Sequence, residues 1–181
     1  EPENLIHIKE PSIYDEIWGE SPIDILAQDL ILEILGMDFT KEILVPFPVE
    51  SALSGIMDQK YFENSRSTFM YRRTFTVPEN FAGKKVILHF GGVDWKCTVY
   101  INGKEVGTHA GGHDPFFFDI TSALAASGEQ EIQVAVTDPT NDGGQPHGKQ
   151  NLNPAGIWYT PVSGIWQTVW LESVSFDAVE S

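Results

Sequence analysis

Chemistry is sought first among the five histidines: His7, His89, His109, His113 and His147. His109 and His113 are four apart, the spacing at which two imidazoles on one helix face chelate zinc. Gly111-Gly112 falls between them and argues against that helix, so no metal site is expected of the pair. Asp138, Asn141 and Asp142 form an oxygen-rich trio of a kind that can hold calcium, although ordinary turn chemistry is the preferred reading. Ser163-Gly164 lacks the flanking pattern of a nucleophile elbow. Acidic side chains are many, yet no pair stands in a glycosidase-like or protease-like context. No glycine-rich phosphate loop leads into a helix, and no cofactor is expected.

The segment from Asp138 to Gly164 gathers His147, Lys149, Gln150, Asn151, Asn153, Trp158 and Tyr159 among Gly143-Gly144, Pro146, Pro154 and Pro161. A loop this long inside a compact domain usually carries function. Aromatic faces stack on the apolar faces of sugar rings, and amides and charges bond hydroxyls. The candidate binding residues are therefore His147, Lys149, Gln150, Asn151, Trp158 and Tyr159. The alternative is that Trp158 and Tyr159 simply fold the loop onto the body of the protein.

The elements that must position this loop are strands. Trp95, Cys97, Val99 and Ile101 alternate with Lys96, Thr98, Tyr100 and Asn102, which marks a strand with one buried side. Asn102-Gly103 suits a tight hairpin, and Lys104 to His109 is the returning strand. Gly111-Gly112 ends it, and Phe116, Phe118 and Ile120 alternate again. Phe69 to Val77, Val86 to Phe90, Ile132 to Val136 and Ile165 to Phe176 complete the set, with Arg73 on an inward face where it needs a partner or lies near a strand end. Residues 21–36 read differently. Ser21-Pro22 resembles a cap with proline at the first helical position, Ile23, Leu26, Ala27, Leu30, Ile31, Ile34 and Leu35 recur at helical spacing, and Gly36 is placed to stop them. The expectation is an all-β antiparallel sandwich, a jelly roll, over 41–181, with an N-terminal extension over 1–40 that carries a helix at about 22–35.

The chain of 181 residues is long enough to bury a core without staples. Its 11 Lys+Arg against 26 Asp+Glu give a formal net charge of -15, which repels phosphate backbones and anionic membrane surfaces. Neither nucleic acid nor membrane is an expected partner, and no apolar run reaches the ~20 residues that span a bilayer. The single cysteine, Cys97, lies on an apolar strand face and reads as a buried, inert thiol. The compartment stays open, with periplasmic or extracellular placed ahead of cytoplasmic.

Several runs carry a resemblance. They are Val45-Pro46-Phe47-Pro48-Val49-Glu50-Ser51, Tyr71-Arg72-Arg73-Thr74-Phe75, Gly92-Val93-Asp94, Val99-Tyr100-Ile101-Asn102-Gly103, His109-Ala110-Gly111-Gly112, Pro115-Phe116 and Phe118-Asp119-Ile120-Thr121. Gly148-Lys149-Gln150, Gly156-Ile157-Trp158-Tyr159 and Ser163-Gly164-Ile165-Trp166-Gln167-Thr168-Val169-Trp170-Leu171-Glu172 close the series. Over about residues 43–175 their order and spacing resemble the N-terminal sugar-binding domain of the family 2 glycoside hydrolases, which include β-galactosidases, β-glucuronidases and β-mannosidases.

The resemblance implies a galactose-binding-like jelly roll followed, in a parent chain, by an immunoglobulin-like domain and a TIM barrel. The barrel carries the two catalytic glutamates of a retaining mechanism. No barrel fits in this length, so a non-catalytic domain of a β-galactosidase-like enzyme is implied, with loop 139–164 at the rim of the active site and carbohydrate as its partner. Two departures stand out. Where some members carry an acidic residue reaching towards substrate, the spacing gives Trp158, so aromatic stacking replaces a carboxylate. Where the family's first strand reads L-x-G-x-W-x-F, residues 21–36 read as a helix that would cover the missing strand. The rival readings are a stand-alone carbohydrate-binding module and a protein-interaction domain that uses the apolar stripe over 23–35.

Overall fold

The computed structural model describes residues 23–24, 30–34, 40–56 and 68–176. Alternation of apolar and polar residues builds most of it. In β4 (Thr68–Thr76), Phe69, Tyr71 and Phe75 point inward and are buried. In β5 (Lys85–Phe90) the buried residues are Val86, Leu88 and Phe90. In β7 (Lys96–Ile101) they are Cys97, Val99 and Ile101, and in β10 (Glu129–Thr137) Ile132, Val134 and Val136. β12 (Val169–Val174) buries Val169 and Leu171. A period of two fits only the pleat of a sheet that hides one face.

The strands form two main antiparallel sheets. The larger runs β3 (Thr40–Ile43), β2 (Leu30–Ile34), β4, β10, β7 and β8 (Lys104–Ala110). The smaller runs β1 (Ile23–Asp24), β12, β5 and β9 (Phe116–Asp119). A two-stranded piece pairs β6 (Val93–Asp94) with β11 (Gly164–Ile165). The inner faces meet in one core, where Tyr71, Val99 and Val134 of the large sheet join Leu88, Phe90 and Leu171 of the small one. The fold is therefore an all-β antiparallel sandwich, as expected. Asn102 at φ 51° and Gly103 at φ 77° turn the β7–β8 hairpin with both central residues left-handed. A single turn of 3-10 helix spans Thr121–Ala123. Cys97 is buried, and burial pushes its thiol up to about 12.

The helix expected at 22–35 is corrected by the backbone. Ile23–Asp24 and Leu30–Ile34 are strands, and residues 22, 25–29 and 35 lie outside the described residues. Ile23 pairs with Leu171 of β12, and Ile31 with Arg72 of β4. A short apolar run fits either period. The N–H and C=O groups along β4 and β12 need partners, and pairing with them outweighs a helix that rests on propensity alone. Strands thus stand where a helix was expected to cover a missing one.

Candidate functional site

The long loop leaves β10 at Asp138 and rejoins the sheets at Ser163. Asp138 Oδ1 accepts the Thr140 N–H at 2.7 Å, and Oδ2 accepts the Ser163 hydroxyl at 2.6 Å, so the two ends of the loop are tied together. Asp138 is thereby committed to turn and anchor bonds. Asn141 Oδ1 likewise accepts the Leu152 N–H at 2.9 Å, and the Asp142 N–H donates to Pro139 O. Turn chemistry accounts for the trio.

Gln150 pins the middle. Its Nε2 donates to Asp94 Oδ2 at 3.1 Å, and its Oε1 accepts the Val162 N–H at 2.6 Å. Both ends of the amide are engaged within the protein. His147 Nδ1 donates to Gln150 O at 3.1 Å and is half-buried. Asn151 Oδ1 accepts the Asn153 N–H, and its own N–H donates to Tyr159 O. Tyr159 N–H in turn donates to Lys149 O, so the loop is a small ladder of its own around the Gln150–Tyr159 bridge.

Beyond this ladder the loop presents its tip. Ile157 is 67% exposed, Trp158 44% and Tyr159 64%, although residues of this size normally hide. Gly156, at φ 62°, turns the chain into them, and the Trp158 N–H closes the turn on Ala155 O. The Lys149 ammonium lies 5.7 Å from the centre of the Tyr159 ring, within cation–π reach. Of the six candidate residues, Lys149, Trp158 and Tyr159 share the open face, whereas His147, Gln150 and Asn151 hold the loop in shape. Trp158 keeps 44% and Tyr159 64% of their surface exposed, so neither ring is fully covered by the sandwich.

The other histidines take separate places. His109 stacks on Phe116 at 3.9 Å, and His113 meets the edge of Trp166 at 5.8 Å. His89 stacks on Trp170 at 4.8 Å and bonds Glu172 at 2.8 Å on the outer face of the small sheet. Arg73 is half-buried, and its Nε donates to Thr74 O.

Sequence reasoning missed the root of the loop. Glu50 Oε2 accepts the Ser163 N–H at 3.0 Å, while Glu50 Oε1 is buried without a hydrogen-bond partner. Burial, with only partial relief from the Ser163 bonds, pushes the Glu50 carboxyl up to about 7. Burial also lifts Asp94 to about 6, with Asp138 adding repulsion, and burial raises Asp138. The Tyr71 hydroxyl accepts the Ile165 N–H at 3.2 Å beside them. Glu50 and Asp94 each follow a valine, Val49 and Val93, but nothing in their spacing marks a contact with Ser163 or Gln150.

Residues 49–163 match the family model described as glycosyl hydrolase 2 galactose-binding domain-like. The chain belongs to that family. This family 2 domain is 38% identical over 112 residues to a β-galactosidase of Thermoanaerobacter pseudethanolicus, which takes in 61% of this chain and 14% of that protein. It is 35% identical over 112 residues to a β-glucuronidase of Formosa agariphila, covering 60% of this chain and 11% of that protein. The Bacteroides uniformis β-glucuronidase structure shares its fold with a TM-score of 0.62 at 24% identity, over 86% of this chain and 18% of that one. The chain thus spans about a seventh or less of the length of these two relatives, as a galactose-binding-like N-terminal domain spans part of a larger hydrolase.

Proposed function

We propose that this domain is a non-catalytic part of a retaining, β-galactosidase-like family 2 glycosidase, packed on a catalytic barrel and shaping the rim of its pocket with the 139–164 loop. The observation that carries the reading is the tip Ile157-Trp158-Tyr159, exposed on a loop that is bonded along its length and tied at its root. A rigid loop with an aromatic tip offers a ring face to a sugar at little entropic cost. Retaining hydrolysis needs two carboxyl groups about 5–5.5 Å apart across an open cleft. Glu50, Asp94 and Asp138 instead accept bonds from Ser163, Gln150 and Thr140 inside the sandwich, which suits support and not turnover.

A second reading, a stand-alone carbohydrate-binding module, draws on the same exposed Trp158 and Tyr159. One measurement tests the non-catalytic assignment and two separate the readings. The chain alone is expected to leave aryl β-galactosides and aryl β-glucuronides uncleaved, and clear turnover would overturn the non-catalytic assignment. In the full-length enzyme, Trp158→Ala is expected to raise KM by roughly tenfold, the worth of one lost stacking contact of about 1–3 kcal/mol, with kcat little changed. A saturable tryptophan-fluorescence response of the isolated chain to galactosides, lost in Trp158→Ala, would favour the module.

A further inference from the structure

Three carboxyl groups from three distant parts of the chain meet at the root of the loop. Glu50 follows Val49 in the segment after β3, Asp94 belongs to β6, and Asp138 directly follows β10. Asp138 and Glu50 hold the two sides of Ser163, through its hydroxyl and its N–H, and Asp94 holds Gln150. The ionisable groups that face them are one another, Tyr71 beside Glu50, and His113 and His147 beside Asp94, with His147 also beside Asp138. The backbone of Gly112 closes over Asp94, where a Cβ would lie 2.5 Å from Oδ1. Glu50 Oε1 has neither water-accessible surface nor a donor.

We infer that Glu50, Asp94 and Asp138 form a proton-operated latch, which holds the 139–162 loop closed while the cluster keeps its protons and loosens it when they leave. A neutral Asp94 or Glu50 still accepts through its carbonyl oxygen, and a neutral Asp138 keeps the Thr140 N–H on one oxygen while its own O–H turns to the Ser163 hydroxyl oxygen, so the closed form needs no charge. Ionisation places like charges in one poorly solvated network and leaves Glu50 Oε1 as a buried charge without a partner. The relief is hydration of the buried cluster, which parts Asp138 from Ser163 and Asp94 from Gln150 even though those bonds taken alone favour the charged form. The shifts of Glu50 to about 7 and Asp94 to about 6 set the range in which the latch works.

The inference concerns anchorage and stands whether or not the tip meets sugar, so its test uses no ligand. Hydrogen exchange of the 181-residue chain is followed between about pH 5 and pH 8, each peptide corrected for its intrinsic rate, with β10 as the internal reference. Protection over 139–162 is expected to fall roughly tenfold more than protection of β10 as pH rises, the equivalent of about one pKa unit. Glu50→Gln and Asp94→Asn, made separately, are each expected to flatten that extra fall. Loop and β10 protection that run parallel across the range would overturn the latch. So would an undiminished pH dependence in whichever of the two variants folds.

Discussion

Glu50 costs the folded chain stability whenever it is charged. Its carboxyl rises from an ordinary 4.5 to about 7 on folding, chiefly through burial, so the folded chain holds that proton more tightly than the unfolded one. For a raised carboxyl, the stabilisation is complete below the unfolded value and is lost as pH climbs through the folded one. The thermal midpoint is therefore expected to decline between about pH 4.5 and pH 7.5, and Glu50→Gln to flatten the decline and raise the midpoint at the alkaline end. The shift corresponds to roughly 3 kcal/mol as an upper figure. A calorimetric series at fixed ionic strength checks it, and equal slopes in both proteins would contradict it. None of this was legible in the sequence. Ser163 meets Asp138 across 25 residues and Glu50 across 113, and Gln150 meets Asp94 across 56. Bonds at such separations leave no periodic trace. Trp158 and Tyr159 were legible as candidates, because bulky rings in a polar loop are conspicuous. Gln150 was legible as a polar loop residue but not as the pin it is.

At the scale of elements, the β7–β8 hairpin rests on Asn102. Its left-handed backbone makes the turn, its Nδ2 donates to Ala123 O at 3.0 Å and Gln130 Oε1 at 2.8 Å, and its Oδ1 accepts the Glu131 N–H at 2.8 Å. One side chain thus joins the hairpin, the 3-10 turn at Thr121–Ala123 and the start of β10. Asn102→Ala is expected to destabilise the chain by about 2–4 kcal/mol, from lost bonds and a strained φ together, read by urea denaturation. Asn102→Gly, which keeps the turn but not the bonds, should lose less. This hairpin was readable because an Asn-Gly pair between two alternating runs has a single inexpensive geometry. The stretch over 22–35 was not, because Leu30–Ile34 is apolar at every position but Glu33 and Ile23–Asp24 is too short to show a period. What decides those residues is the hydrogen-bonding need of β4 and β12, which only the assembled sheets reveal.

For the molecule as a whole, both sheets draw on the first 43 residues. β1 lies outermost in the small sheet against β12, and β2 and β3 extend the large one past β4. The family match begins only at residue 49. A recombinant fragment cut at that boundary would look complete by homology, yet it would bare the backbone amides and carbonyls of β4 and β12 at once. Exposed strand margins of that kind recruit other chains. Such a fragment is expected to elute as mixed oligomers in light-scattering chromatography, and a persistent monodisperse monomer would show that β1 to β3 are dispensable. For anyone dissecting enzymes of this family, the sensible place to cut is set by strand pairing, some 26 residues or more upstream of where sequence similarity begins.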